Sequence, residues 1–179
     1  MIVSKLKRVA HDIFLIISNR KSLSMSYKQP LSSKTNMITD KSSTIRVGAK
    51  TSTFGNADIS SIAGGKLDIG NDVAFNRNII VVCRNRIVIG NNVIFGPNVV
   101  IYDHDHVFGT NGIEPAIYTK DEVIIEDGCW IGANVTILKG THIGKGSVIG
   151  AGTVIKGTIP ERSLVTNDRT LRVKPIRDR

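Results

Sequence analysis

Aromatic residues are scarce in this chain: one Trp, three Tyr and five Phe among 179 residues. A core cannot be built round large rings at that level and must be filled by Ile, Val, Leu and Ala. Cysteine is scarcer still, with Cys83 and Cys129 alone, which excludes a disulfide framework. No apolar run approaches the roughly 20 residues of a bilayer crossing. The longest near the N-terminus, Ile13-Phe14-Leu15-Ile16-Ile17, follows His11 and Asp12 and makes a poor signal peptide. Acid is short at both ends. Residues 1–50 carry ten Lys or Arg against Asp12 and Asp40, and residues 161–179 carry six against Glu161, Asp168 and Asp178. The formal charge of +9 therefore sits on the ends, and the middle is close to neutral. No recognition motif accompanies these cations and no aromatics are interleaved with them, so no nucleic-acid partner is expected.

The middle also lacks a helical or simple strand period. What it has is a period of six. Ile125, Ile131, Ile137, Ile143, Ile149 and Ile155 are six apart, and Cys129, Val135, Thr141, Ser147, Thr153 and Ile159 stand four after each. Helices repeat near 3.6 residues and strands at 2. Period six fits short strands joined by tight turns, with Gly or Asn where φ is positive. Upstream, Ile69, Phe75 and Val81 keep the register, two residues are inserted near Cys83–Arg86, and Ile89, Phe95 and Ile101 resume it. Three hexads make one triangular coil, and stacked coils pair as parallel strands round a column of isoleucine.

Three parts follow from this pattern. Residues 1–43 are read as an amphipathic helix (2–18) and a linker, 44–160 as the repeat domain, and 161–179 as a basic tail. Leu6, Val9, Ala10, Ile13, Phe14 and Ile17 form the helix's apolar stripe. The stripe is expected to cover an open end of the coils. The alternative is peripheral attachment to an anionic membrane through Lys5, Lys7 and Arg8. The chain is read as cytoplasmic, at the inner face of the membrane if that attachment is used. The period breaks over 103–122, a loop that carries His104 and His106, two of the four histidines. Long loops in compact domains are often functional.

The hexads, the histidine loop YDHDHVF leaving Ile101, and GCWIGANV around Trp130 together resemble the hexapeptide-repeat acyltransferases. The similarity is greatest to the galactoside, maltose and nodulation-factor O-acetyltransferases and spans about Ile69 to Arg172. It implies an all-β, left-handed parallel β-helix with a short N-terminal helix and an extruded loop. It also implies a homotrimer with its site between adjacent β-helices. Acetyl-CoA is the implied co-substrate, a saccharide of a surface polysaccharide the acceptor, and no metal is required. His104 takes the position of the family's general base, and the Ala133 N–H that of the oxyanion donor. Asp103 or Asp105 would orient the imidazole. Asn76, Trp130 and His106 fall on the acceptor side, and Ala133, Ala151, Lys156, Arg169, Arg172 and Lys174 on the CoA side. Thr170 stands where the family has a proline. The chemistry fits these residue types, because a sugar hydroxyl is a weak nucleophile until a neutral imidazole takes its proton. Three alternatives remain: N-acetylation of an amino sugar, a γ-class carbonic anhydrase, and a β-helix scaffold without chemistry. The zinc enzyme needs three converging histidines. His104 and His106 lie two apart on one loop, with His142 in an outward slot.

Overall fold

The computed structural model describes residues 2–19, 22–26, 29–110 and 112–167. A helix, Ile2–Ser18, leads into a parallel β-helix of triangular section. Its first face stacks Leu23–Ser24, Thr44–Val47, Lys66–Ile69, Arg86–Ile89 and Val123–Ile125. The second stacks Ser52–Thr53, Ala74–Phe75, Ile94–Phe95, Trp130–Ile131, Val148–Ile149 and Leu164–Val165. The third stacks Thr35–Thr39, Ala57–Ser61, Ile79–Cys83 and Val100–Tyr102. Thr136–Ile143 and Val154–Ile159 close the third face and bend round onto the first.

The register explains why the repeat is plain late in the chain and faint early. On the second face Ser52 pairs with Ala74, Ala74 with Ile94, Ile94 with Trp130 and Trp130 with Val148. Those steps are 22, 20, 36 and 18 residues. Only the last is three clean hexads. The step of 36 holds a coil of 16 residues plus the 20-residue excursion at 103–122. The isoleucines of the hexads are all buried, as are Cys129, Val135, Thr141, Ser147 and Thr153. Phe75 and Phe95 stack face to face inside, with centroids 4.8 Å apart. Each fully buried Ile contributes roughly 1.5–3 kcal/mol.

Side-chain amides finish the corners. Asn71, Asn91 and Asp127 form one ladder, in which the Asn91 N–H and side-chain amide both donate to Asp127 Oδ1, at 2.7 and 3.2 Å. Asn78, Asn98 and Asn134 form another, at 3.0 Å per rung. All three of that second set have positive φ, between 56° and 60°, a conformation Asn tolerates better than most residues.

Two expectations are corrected here. The segment 19–43 is not a linker: Leu23–Ser24 and Thr35–Thr39 are strands of the first coil, with Leu23, Leu31 and Met37 buried. Parallel pairing joins main chain to main chain, so a Ser- and Thr-rich segment can serve without showing a hexad. The coils also continue past residue 160, since Leu164–Val165 pairs with Val148–Ile149. The loop 103–122, in turn, has structure of its own. It is an antiparallel hairpin, His104–Gly109 with Gly112–Lys120, irregular between His106 and Val107.

Helix 2–18 lies on the first coil but does not turn its apolar stripe inward. Asp12 and Leu15 are buried, whereas Leu6, Ile13, Phe14 and Ile17 are 41–64% exposed. The Asn19 side chain fastens the helix end, donating to the carbonyls of Leu15 and Met37 at 3.1 Å each. His11 Nε2 meets the Thr35 carbonyl at 2.9 Å.

Candidate active site

The corner between the second and third faces repeats as Asn76-Arg77-Asn78, Gly96-Pro97-Asn98, Gly132-Ala133-Asn134 and Gly150-Ala151-Gly152. Close stacking explains the glycines. A Cβ on Gly132 would lie 2.7 Å from the Ala151 nitrogen and from the Ile149 oxygen. Beside this corner runs an open groove of roughly 570 Å³, mainly apolar. Asn76, Trp130, Ala133 and Ala151 all line it, with Ile94 and Leu164 along its length. Trp130 stands outward, 56% exposed, in register with Ile94 and Val148. The N–H groups of Ala133 and Ala151 donate to nothing among the described residues, whereas those of Gly132 and Gly152 hold the ladder. A roomier hollow beside Ile17, Asn19 and Lys41 contains no candidate residue.

His104 is placed elsewhere, at the corner where the third face gives way to the hairpin. Its Nδ1 lies 3.0 Å from Asp103 Oδ1, and its side chain is 10% exposed. Asp103 is fully buried. Its carboxylate accepts from the Arg84 N–H at 2.9 and 3.0 Å and from the Asn85 N–H at 2.7 Å. An acceptor at Nδ1 fixes the tautomer with Nδ1–H and leaves the Nε2 lone pair free to take a proton. Asp105 does not share that task, because it faces Lys139 Nζ at 3.4 Å. His106 is exposed and packs on Tyr118, 4.6 Å between centroids. Tyr118 also meets the edge of His104 at 5.4 Å, and the Arg84 guanidinium lies over its other neighbourhood, 4.1 Å from the ring centroid.

Sequence reasoning misses Tyr118 and Arg84. Tyr118 reaches the histidines only because the hairpin sets it opposite His106. Both hairpin strands are exposed on both sides, so no alternation marks them. The turn signal Asn111-Gly112 was the one available cue.

Lys156 is exposed on the strand Val154–Ile159 and does not line the groove. Arg169, Arg172 and Lys174 lie outside the described residues. His142 is turned to Glu126, 2.8 Å away, and this bond holds the Glu126 carboxyl below its ordinary value. No group of three His, Cys, Asp or Glu converges among the described residues. Burial, reinforced by the Asp103 charge, pushes the Cys83 thiol up to about 12, and burial also raises Cys129. Neither sulfur is available as a thiolate near neutral pH.

Within one chain, then, His104 and the groove are separated by the length of the third face, on the order of 15–20 Å for a strand of five or six residues.

Residues 122–157 match the family described as bacterial transferase hexapeptide (six repeats). Over 66 residues the chain is 38% identical to the putative lipopolysaccharide biosynthesis O-acetyl transferase WbbJ of Escherichia coli K12, covering 36% of this chain and 34% of that one. Over 46 residues it is 50% identical to the galactoside O-acetyltransferase of Lactococcus lactis, covering 26% and 22%. The chain thus spans about a third or less of the length of these curated relatives. Among solved structures, the hexapeptide-repeat acetyltransferase VCA0836 of Vibrio cholerae superposes with a TM-score of 0.56 at 22% identity, covering 94% of this chain and 89% of the other. That protein has also been solved with acetyl coenzyme A. The likeness fits the left-handed, parallel β-helix that the family resemblance implies.

Proposed function

For a chain that carries the hexapeptide repeat of the bacterial transferases, we propose acetyl transfer from acetyl-CoA to a saccharide hydroxyl, with His104 as general base. The observation that carries this reading is the held histidine. A buried carboxylate fixes its Nδ1 side and leaves Nε2 as an acceptor. Nε2 takes the proton of the acceptor hydroxyl as that oxygen attacks the thioester carbonyl. The tetrahedral oxyanion is met by the Ala133 N–H, which has no other partner among the described residues. The C–S bond then breaks, and the proton passes from the imidazolium to the departing thiolate, giving the ester and free CoA. No enzyme nucleophile enters, in keeping with two buried thiols that stay protonated.

The groove suits the donor. Pantetheine is slender and amide-bearing, and the groove offers small residues with the unpartnered N–H groups of Ala133 and Ala151. The far phosphates would meet the cationic segment that contains Arg169, Arg172 and Lys174. Because His104 and the groove stand at different corners, the working site requires two copies, His104 from one and the groove from its neighbour. The family resemblance makes that assembly a closed cyclic homotrimer. The chemistry is assigned to the cytoplasm, where the donor is made.

Free-thiol release from acetyl-CoA, measured against neutral sugars, uronic acids and amino sugars, tests the reading. Acceptor-dependent thiol release with an ester product supports it. Transfer only to amines would replace the hydroxyl acceptor with an amino sugar. No acceptor-dependent release from any of them overturns the transferase reading.

A further inference from the structure

We propose that helix 2–18 is a docking helix for an anionic lipid surface, lying in the plane of the membrane with its Leu6, Ala10, Ile13, Phe14 and Ile17 face in the lipid. An amphipathic helix on a soluble body normally turns that stripe inward. This one does the reverse. Asp12 and Leu15 are buried against the first coil, while Leu6, Phe14 and Ile17 are each more than 60% exposed and Ala10 is exposed with them. Four large apolar side chains on one helix make a contiguous unpartnered patch rather than scattered exposure. The helix is also held in place rather than loose, through Asn19 to Met37 and His11 to Thr35.

Charge selects the occupant. Asp12 is the sole acidic residue in the first 22, and it is buried. Lys7 is exposed beside the patch, and Lys5, Arg8, Arg20 and Lys21 lie in the same stretch of sequence. A second copy seated on this face would set one cationic segment against another, since a two-fold contact repeats the same surface. An anionic bilayer instead satisfies both the apolar stripe and the cations. The helix's 17 residues give a length of about 25 Å. Among the described residues no helix is long and apolar enough to cross a membrane, so this one lies along the surface.

The test is flotation of the full chain with vesicles of phosphatidylethanolamine and phosphatidylglycerol, against phosphatidylcholine alone. The chain should float with the anionic vesicles and be released by added salt. Phe14→Ser and Ile17→Ser should each weaken partition about tenfold or more, and Lys7→Gln about fivefold. Because these side chains are exposed, the variants should keep the parent's melting temperature and its mass by sedimentation. Leu6→Ser provides the same reading at the other end of the helix. Absence of flotation, equal flotation on phosphatidylcholine, or variants that float as well as the parent would each overturn the proposal. So would a fall in mass in the Phe14 or Ile17 variant, which would place the face between copies. None of these outcomes depends on the acetyl-transfer reading.

Discussion

At the scale of single residues, His104 is set apart from the other histidines by what holds it. His142 faces a carboxylate on the outer surface and His106 rests on a ring, but His104 has a buried, doubly amide-bound Asp103 behind it. Replacing His104 by Ala should lower kcat by about 10²-fold or more. Acetyl-CoA affinity, read by calorimetry, should stay near the parent's, because the groove lies at another corner. His106→Ala should lose far less. A His104→Ala enzyme with near-parental turnover would remove the base from the mechanism. The two thiols give a complementary expectation. Burial keeps both protonated, so Cys129→Ala should turn over at close to the parental rate, and rapid mixing should show no burst of acyl-enzyme.

At the scale of elements, corners hold the coils in register, and Asp40 is the most heavily engaged of them. Its carboxylate accepts from the Ser42 N–H and the Ser42 and Ser43 hydroxyls, and across the coil from the Ala63 N–H. The Ser43 bond and then the Ala63 bond hold its pKa far below the usual carboxylate range. A depressed folded-state pKa means stability that is present above the unfolded value, about 3.9, and lost as pH falls toward the folded one. The melting temperature of Asp40→Ala should therefore lie below the parent's at neutral pH, and the gap should narrow as pH drops below about 4. A gap independent of pH would assign the loss to packing instead. The elements were unequally legible beforehand. From Val123 the hexads run unbroken to Ile155, with coil steps of 18 residues from Ile124 to His142 and from Trp130 to Val148, so Ile125 to Ile155 could be placed inside from spacing alone. Residues 23–61 sit in coils of 22 residues, where the extra residues at the corners hide the period. Asn76, Trp130, Ala133 and Ala151 could be named only through the family resemblance, and it is the stacking of the coils that lines one groove with them. Tyr118 and Arg84 could not, since a two-sided exposed hairpin leaves no pattern. The helix was found, but amphipathicity says only that two faces differ, not which one the body covers.

At the scale of the whole molecule, the proposed mechanism, with its histidine and groove on different corners, makes activity a property of an assembly. Two inactive chains, His104→Ala and a groove-filled Ala133→Trp, should regain turnover when mixed and allowed to exchange subunits, because some neighbouring pairs then combine an intact histidine with an intact groove. Mixtures that stay inactive while both variants assemble would place the whole site within one chain. The stack itself carries a further consequence. Each coil touches only the coils above and below it, so the molecule behaves as a line of coupled units rather than as one cooperative block. Opening should start at the last described coil, where Leu164–Val165 has a neighbour on one side alone among the described residues, and amide hydrogens there should exchange sooner than those of Ile94–Phe95. Yet Leu164, Ala151 and Val148 also wall the groove. A ligand lying along it would bridge the loosest rung to the firmest ones, and saturating acetyl-CoA should slow exchange at Val148 and Val165 more than at Val81, deep in the stack and away from the groove.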